Sequence, residues 1–178
     1  MNEQTDVCVA LDFETSGRES YAACSIGLVR IEGMRLCEPF YTVLRPPSPM
    51  MLFTEIHGLT WNDVRNGPVF AEAWDSIAKY CEGASFFVAH NAPFDRRILR
   101  ACLAYAGLPP NPIPFLCTLK GSRRALPRLA SHSLDSLCNY FSLPLLHHHA
   151  GSDALACGMI YVRLCSMGIQ QDTMRVKG

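Results

Sequence analysis

Two carboxylates, Asp12 and Glu14, stand two residues apart at the end of the apolar run 7–11. Such a run predicts a buried strand, and side chains alternate faces along a strand, so both carboxylates should point the same way. Neighbouring carboxylates repel each other, and each tends to keep its proton. A hard divalent cation such as Mg²⁺ or Mn²⁺ removes that conflict. The pair therefore predicts a metal site; the alternative is a strand that simply ends at a solvated edge.

A third carboxylate, Asp95, closes the segment His-Asn-Ala-Pro-Phe-Asp at 90–95. The short apolar run 85–89 before it predicts a buried parallel strand, and Pro93 is suited to the first position of a helix. Open α/β sheets bind ligands at the carboxyl ends of their strands, where Asp95 would lie. The alternative role is compensation of the helix dipole, which acidic residues in a first helical turn commonly provide.

A fourth carboxylate, Asp153, follows the histidine run His147, His148 and His149. A histidine near several carboxylates can accept a proton from water, which is the task of a general base. The alternative is a surface loop before a helix. A zinc site of His147, His149 and Cys157 is a weaker alternative, because adjacent histidines on an extended segment point to opposite sides.

The elements that must position these residues follow from periodicity and from turn residues. Strands are predicted at 7–11, 24–31 and 36–44, the last broken by Pro39, and their short connections indicate an antiparallel meander. Helices are then predicted at 61–64, 70–81, 93–105, 134–141 and about 152–165, with strands between them at 85–89 and 115–118. The order predicts an α/β fold: a mixed sheet of about five strands with helices on both faces. We expect a single domain over 1–178, with a core at about 6–166 between a short polar N-terminus and a C-terminal tail.

Net charge, cysteine pattern and hydrophobicity limit the possible partners and the cellular location. The formal net charge of the 178 residues is +0, so the whole-molecule field does not attract a polyanion, and nucleic-acid contacts would need a local patch or bound metal. The nine cysteines are scattered without a Cys-x-x-Cys pair, a pattern typical of reduced thiols. Neither a signal peptide nor a membrane-spanning stretch is evident, and a cytoplasmic location is expected.

Taken together, Asp12 to Thr15, the segment 90–95 and His148 with Asp153 resemble the three motifs of DEDDh-type 3′–5′ exonucleases. That group includes ribonuclease T, exonuclease X and the proofreading-subunit and PolC-type exonuclease domains of bacterial DNA polymerase III. The resemblance implies a ribonuclease H-like fold and hydrolysis of terminal phosphodiester bonds to nucleoside 5′-monophosphates, with DNA somewhat favoured over RNA. It also implies two Mg²⁺ or Mn²⁺ ions held by the four carboxylates Asp12, Glu14, Asp95 and Asp153, with His148 as the base.

By the same resemblance, five residues would hold the last nucleotides of the substrate: Thr15, Ile56, His57, Asn91 and Phe94. Core packing is the alternative role for Ile56 and Phe94, and ordering of the local turn is the alternative for Asn91.

The implied partner is a single-stranded or frayed 3′ end of DNA or RNA, with a DNA polymerase subunit or a second copy of the chain as further candidates. The basic cluster Arg123, Arg124 and Arg128 would contact phosphates or form a solvated helix face. A non-catalytic nucleic-acid-binding or polymerase-accessory module of the same fold is the alternative function. A small-molecule phosphodiesterase is a second alternative.

Overall fold

Six strands form one mixed sheet in residues 7–177, the part of the chain that this computed structural model describes. They are β1 (Val7–Thr15), β2 (Ala23–Glu32), β3 (Arg35–Leu36), β4 (Phe40–Val43), β5 (Phe86–Ala89) and β6 (Phe115–Cys117). β1 is central, with β2 antiparallel on one side and β5 then β6 parallel on the other. β3 and β4 both pair antiparallel with β2. The predicted meander followed by parallel strands is confirmed.

Eight helices accompany the sheet within the described range. They are α1 (Thr54–His57), α2 (Trp61–Val64), α3 (Phe70–Tyr80), α4 (Pro93–Tyr105), α5 (Thr118–Ala125), α6 (Leu134–Phe141), α7 (Ala150–Ser166) and α8 (Gln171–Met174). The capping box between Thr60 and Asp63 begins α2, and Pro93 occupies the first position of α4, where its missing N–H costs nothing.

Alternate side chains of β1 enter two separate cores, one on each face of the sheet. Val9, Leu11 and Phe13 lie in a core with residues of α3 and α4, whereas Cys8 and Ala10 lie in a core with residues of α6 and α7. Helices therefore cover both faces, as predicted. Asp12 and Glu14 continue the second series and so emerge on the face that α7 covers.

Several boundaries differ from the sequence-based expectation. The predicted strand 36–44 is two strands, because the segment around Pro39 leaves the ladder between β3 and β4. The last long helix begins at Ala150 rather than at about residue 152. Helices α1, α5 and α8 were not expected, since none of them shows a clear apolar stripe of its own.

The segment after α7 packs on the sheet and extends the packed region beyond the expected limit near residue 166. Met174 of α8 is fully buried, and the backbone N–H of Val176 donates to the carbonyl of Phe115 at 2.9 Å. The eight cysteines from Cys24 onward are present as thiols. Among residues 7–177, no helix combines the length and apolar character needed to cross a bilayer.

Candidate active site

The carboxylates Asp12 and Glu14 lie near the end of β1, where that strand runs past its neighbour β5. The parallel pairing of the two strands stops at Ala10 and Val88. The backbone N–H of Phe13 therefore has no strand partner on that side, and it donates to Oδ1 of Asp95 at 3.2 Å. This bond ties the first turn of α4 to β1 between the two carboxylates.

Asp95 itself is 1% exposed, which is rare for a carboxylate unless it is hydrogen-bonded or paired. Burial raises the pKa of Asp95 well above its ordinary value, against the lowering effect of the hydrogen bond from Phe13. An acidic group buried beside other acidic groups is the environment that a bound cation would relieve.

Asp153 comes to the same place from the opposite face, in the first turn of α7. It is 4% exposed, and its Oδ2 accepts the backbone N–H of His148 at 3.1 Å. Its Oδ1 is buried and has no hydrogen-bond partner among the described residues. Burial raises the pKa of Asp153 to about 6, although the hydrogen bond from His148 acts in the other direction.

Close approach of α7 to β2 makes this placement feasible. Gly27 pairs with Asp12 in the ladder, and a Cβ at Gly27 would overlap the backbone carbonyl of Ala150. The absence of a side chain at Gly27 therefore lets the first turn of α7 sit directly on β2. Asp153, one turn along α7, is thereby brought to the end of β1.

Carboxylate oxygens of Asp12, Glu14 and Asp153 all lie within 4.8 Å of one another. Burial is the main cause that raises the pKa of Asp12 well above its ordinary value, and repulsion from Asp95, Asp153 and Glu14 adds to it. Burial, with repulsion from Asp153, raises the pKa of Glu14 to about 8. Clustered oxygens, raised pKa values and the bare Oδ1 of Asp153 fit a divalent cation that prefers oxygen ligands.

The histidine run has a geometry that the sequence does not predict. His148 has φ +61, so the segment turns instead of staying extended. As a result the rings of His147 and His148 stack in parallel, with centroids 3.8 Å apart, and both line the same cleft. The expectation that the other two histidines face away from His148 is therefore wrong for His147.

His149 does face elsewhere. Its Nδ1 accepts the backbone N–H of Ser152 at 3.3 Å, which caps α7, and its ring stacks on Tyr41 at 4.5 Å. Cys157 is buried further along α7, next to the hydroxyl of Thr118. The alternative zinc site of His147, His149 and Cys157 is therefore not assembled in the described part of the chain.

A cleft of about 820 Å³ brings these groups together with residues from several loops. Asp12, Glu14, Asp153 and His148 line it, whereas Asp95, the fifth residue predicted to react, is not part of the lining. Asn91 and Phe94 line it as well. Phe94 is 36% exposed, so core packing does not explain it.

Three other predicted substrate residues lie outside the cleft lining. Leu59 donates its N–H to Nδ1 of His57, so the proton of this ring is on Nε2, which donates to the carbonyl of Thr15 at 3.2 Å. His57 thus fastens α1 to the end of β1. Ile56 is 51% exposed, which excludes core packing as its role.

Two further histidines of the cleft, His90 and His132, were given no role in the sequence analysis. His147, which was considered there only as a zinc ligand, also lines the cleft. Of the basic cluster, Arg123 lines it, whereas Arg128 lies at a separate groove beside Tyr140. Arg97 places its guanidinium 5.5 Å from the ring centroid of Phe94. Phe94 and Arg97 are three residues apart on α4, and this spacing could have predicted their contact from the sequence.

Fold and site together define a ribonuclease H-like nuclease of DEDDh type, and comparison with known proteins agrees. A family model described as exonuclease (RNase_T) matches residues 9–161. The chain belongs to this exonuclease family. The predicted family, fold and enzyme class are thereby confirmed, and members of the family generally use divalent metal ions.

Curated DNA polymerases resemble the chain over most of its length. The DNA polymerase III PolC-type of Caldanaerobacter subterraneus subsp. tengcongensis is 32% identical over 160 residues, which is 88% of this chain and 11% of the relative. The corresponding protein of Thermotoga maritima is 31% identical over 163 residues, 89% of this chain and 12% of the relative. The chain therefore spans roughly a tenth of the length of the curated relatives it matches.

Solved structures share the fold. Exonuclease X in complex with 5′ overhanging duplex DNA matches with a TM-score of 0.74 at 24% identity, over 94% of this chain and 96% of that one. The nuclease domain of 3′hExo, a DEDDh family member bound to rAMP, matches with a TM-score of 0.81 at 13% identity, over 100% and 99%.

Proposed function

We propose that this chain is a metal-dependent 3′–5′ exonuclease that hydrolyses terminal phosphodiester bonds, of DNA in preference to RNA, and releases nucleoside 5′-monophosphates. The observation that carries the proposal is the set of Asp12, Glu14 and Asp153 oxygens within 4.8 Å of one another in the cleft. Asp95 is joined to the set through the backbone of Phe13. Four carboxylates in one place serve a cation better than they serve any neutral ligand.

Asp12, Glu14, Asp95 and Asp153 would hold two Mg²⁺ or Mn²⁺ ions. When bound, these ions neutralise negative charge on the attacking, leaving and phosphate oxygens. Uncompensated, the four carboxylates repel a phosphodiester, so substrate binding as well as turnover should require the metal.

His148 supplies the proton acceptor in this proposal. An imidazole nitrogen of His148 takes the proton of the attacking water, and the backbone N–H of His148 is held by Oδ2 of Asp153 at 3.1 Å. This bond fixes the base relative to the carboxylates. Retention of the base and all four carboxylates argues against the non-catalytic module of the same fold.

Phe94 and Asn91 are proposed to hold the terminal nucleotides. The half-exposed ring of Phe94 offers a stacking face to a base, and Arg97 lies near that ring, a placement that suits a polyanion. Thr15, Ile56 and His57 contribute from the adjoining surface, with His57 holding the carbonyl of Thr15 in place.

The names of the curated relatives and of exonuclease X support DNA as the substrate, and those of the curated relatives support a polymerase as the partner. The curated relatives are DNA polymerases of the PolC type, and exonuclease X was solved with duplex DNA. We therefore propose a frayed or single-stranded 3′ end of DNA as the substrate, next to a DNA polymerase subunit. A homodimer is the other proposed assembly, and sedimentation of the purified chain measures it.

Matched oligonucleotides test substrate and direction together. We expect mononucleotides from a single-stranded DNA with a free 3′ hydroxyl, slower release from the same sequence in RNA, and no release when a 3′ phosphate blocks the end. A circular single strand should stay intact. Efficient cutting of the circle would instead show an endonuclease, and faster release from RNA would reverse the proposed preference.

A further inference from the structure

Two histidines and a carboxylate form a second group of metal ligands beside the proposed catalytic cluster. Candidate ligand atoms of His147, His148 and Asp153 lie within 4.8 Å of one another. Nδ1 of His147 is 3.9 Å from Oδ2 of Asp153. His147 takes no part in the proposed hydrolysis.

The local backbone holds this group in place. The positive φ of His148, which is uncommon among non-glycine residues, brings the two rings into a parallel stack. The N–H of His148 donates to Asp153, and the His149 cap fixes the start of α7 directly after it. Two neighbouring histidines that would diverge on an extended strand therefore present their rings on the same side.

The spacing suits a small tetrahedral ion after a modest closure. Ligands on a tetrahedral zinc at about 2.0–2.1 Å lie roughly 3.3 Å apart. Closing the 3.9 Å gap between Nδ1 of His147 and Oδ2 of Asp153 to that spacing takes about 0.6 Å, and the ring of His147 must turn out of its stack on His148 so that both imidazole lone pairs converge on the ion. The side chain of His147 is 44% exposed, which leaves room for that turn, whereas the side chain of Asp153 is 6% exposed and provides a fixed anchor. Three protein ligands leave a fourth position for water.

The ligand types decide which ions would bind. Imidazole nitrogen suits Zn²⁺, Co²⁺, Ni²⁺ and Cu²⁺, whereas Mg²⁺ prefers an all-oxygen shell. We propose that His147, His148 and Asp153 form a binding site for a borderline transition-metal ion of the Zn²⁺ class, and that its occupation inhibits the Mg²⁺-supported reaction.

Inhibition follows from shared residues. An ion in this site engages Asp153, which also belongs to the Asp12–Glu14 group, and it occupies the ring of His148. The inhibitory part of the inference rests on the proposed exonuclease function, and the binding part does not. A cell that supplies excess Zn²⁺ would thus slow the enzyme even when Mg²⁺ is plentiful.

Zinc titration of the whole chain in saturating Mg²⁺, without nucleic acid, tests the binding part. We expect one Zn²⁺ site by calorimetry in the parent, and at least the roughly 10–100-fold weakening that loss of a supporting residue costs in His147→Ala. His147→Cys should retain the site, because thiolate is a good zinc ligand. His132→Ala removes another histidine of the same cleft and should bind like the parent.

Equal Zn²⁺ affinity in the parent and in His147→Ala would overturn the proposal, since the ion would then sit on the carboxylates. Absence of Zn²⁺ binding in the parent would overturn it as well. With a DNA substrate, the Zn²⁺ concentration for half-inhibition should rise in His147→Ala, whose Mg²⁺-supported rate stays within a few-fold of the parent. His147-dependent binding in a chain without nuclease activity would refute the proposed function and leave the metal site standing.

Discussion

At the scale of single residues, Asp12 has an unfavourable position for a charge. It lies on the central strand with Glu14 on one side, and Asp95 and Asp153 approach it from two helices. In the absence of cations, burial and the surrounding carboxylates favour its protonated form. The same environment makes the site receptive to divalent cations. The clustered carboxylates therefore both destabilise the metal-free fold and supply the proposed function.

The three consecutive histidines should differ in function. We expect His148→Ala to lower turnover by about 10²–10⁴-fold, the usual contribution of a general base. His147→Ala should stay within a few-fold at saturating Mg²⁺. His149→Ala should also keep its rate while losing about 0.5–2 kcal/mol of stability, because it removes the cap of α7.

Single-turnover rates of the three variants, with thermal unfolding of each, make the comparison. A large loss of rate in His147→Ala or His149→Ala with His148→Ala spared would contradict the assignment of the base.

Which residues carry the chemistry could be predicted, whereas their mutual geometry could not. Asp12 and Glu14 were foreseen to share a face because a strand alternates, and the structure places them so. The stacking of His147 on His148 depends on a positive φ at His148. Histidine adopts that conformation more often than most non-glycine residues but only in a minority of cases, so the sequence does not show which of the three histidines has it. The unpaired Oδ1 of Asp153 likewise arises only from the packing of α7 against the sheet.

At the scale of elements, the contact between α7 and β2 determines where Asp153 lies. The first turn of α7 rests against Gly27, the ladder partner of Asp12. Further along α7, Gly158 faces β1, and a Cβ at Gly158 would lie 3.4 Å from Cβ of Ala10. Small residues at these points allow helix and sheet to approach closely enough to bring carboxylates from both into one cluster.

Gly27→Ala should therefore lower the stability of the fold and displace Asp153 from the carboxylate cluster. Its Cβ would meet the backbone of Ala150, which cannot swing aside as a side chain can, so we expect a loss of about 1–3 kcal/mol or more. The displaced α7 would move Asp153. Turnover should therefore fall even at a temperature well below the unfolding midpoint, where nearly all of the variant is folded.

The matched control is Gly158→Ala on the same helix, where the new methyl group would meet only side-chain atoms, at 3.3–3.4 Å. Two of these atoms are the ends of Leu36 and Ile31, which can shift, so the loss of stability should be clearly smaller than in Gly27→Ala. Thermal unfolding and single-turnover rates compare the two variants. A Gly27→Ala variant as stable and active as the parent would show that the close approach is not needed.

Long, strongly patterned elements were predictable, and short ones were not. The helix from Pro93 and the strand at 86–89 were located from apolar spacing and from the proline. The helix α1 has no buried residue and is instead held by His57, whose ring contacts the carbonyl of Thr15. A contact between residues that are distant in sequence leaves no local pattern to recognise.

At the scale of the whole molecule, proton binding links the site to the stability of the fold. The pKa of Glu14 is about 8 in the folded chain, and those of Asp12 and Asp95 are raised well above their ordinary values. In the unfolded chain these groups are ionised above about pH 6.5, so the unfolded state binds fewer protons than the folded one. Stability of the metal-free protein should then fall between pH 6.5 and about 8. Burial lowers the pKa of His90 to about 4, which keeps it neutral in this window.

Unfolding midpoints of chelator-treated protein at several pH values measure this slope. Glu14→Gln should flatten it, and saturating Mg²⁺ should flatten it in the parent, because a bound cation favours the ionised form. Asp75→Asn removes an exposed carboxylate of α3, a helix that supplies none of the clustered carboxylates, and should leave the slope unchanged. A metal-free parent that gains stability over the same interval would contradict the electrostatic description of the cluster.

The most direct test of the central claim compares nucleotide release by the parent and by Asp12→Asn, with Mg²⁺ and after chelation. On a single-stranded DNA labelled at its 3′ end, the parent with Mg²⁺ should release labelled mononucleotide from the first turnover. Asp12→Asn should release none, while its metal-free unfolding midpoint equals or exceeds that of the parent, since one of several repelling charges is gone. Cleavage by the chelated parent as fast as with Mg²⁺, or by Asp12→Asn as fast as by the parent, would contradict a carboxylate site that works through divalent cations.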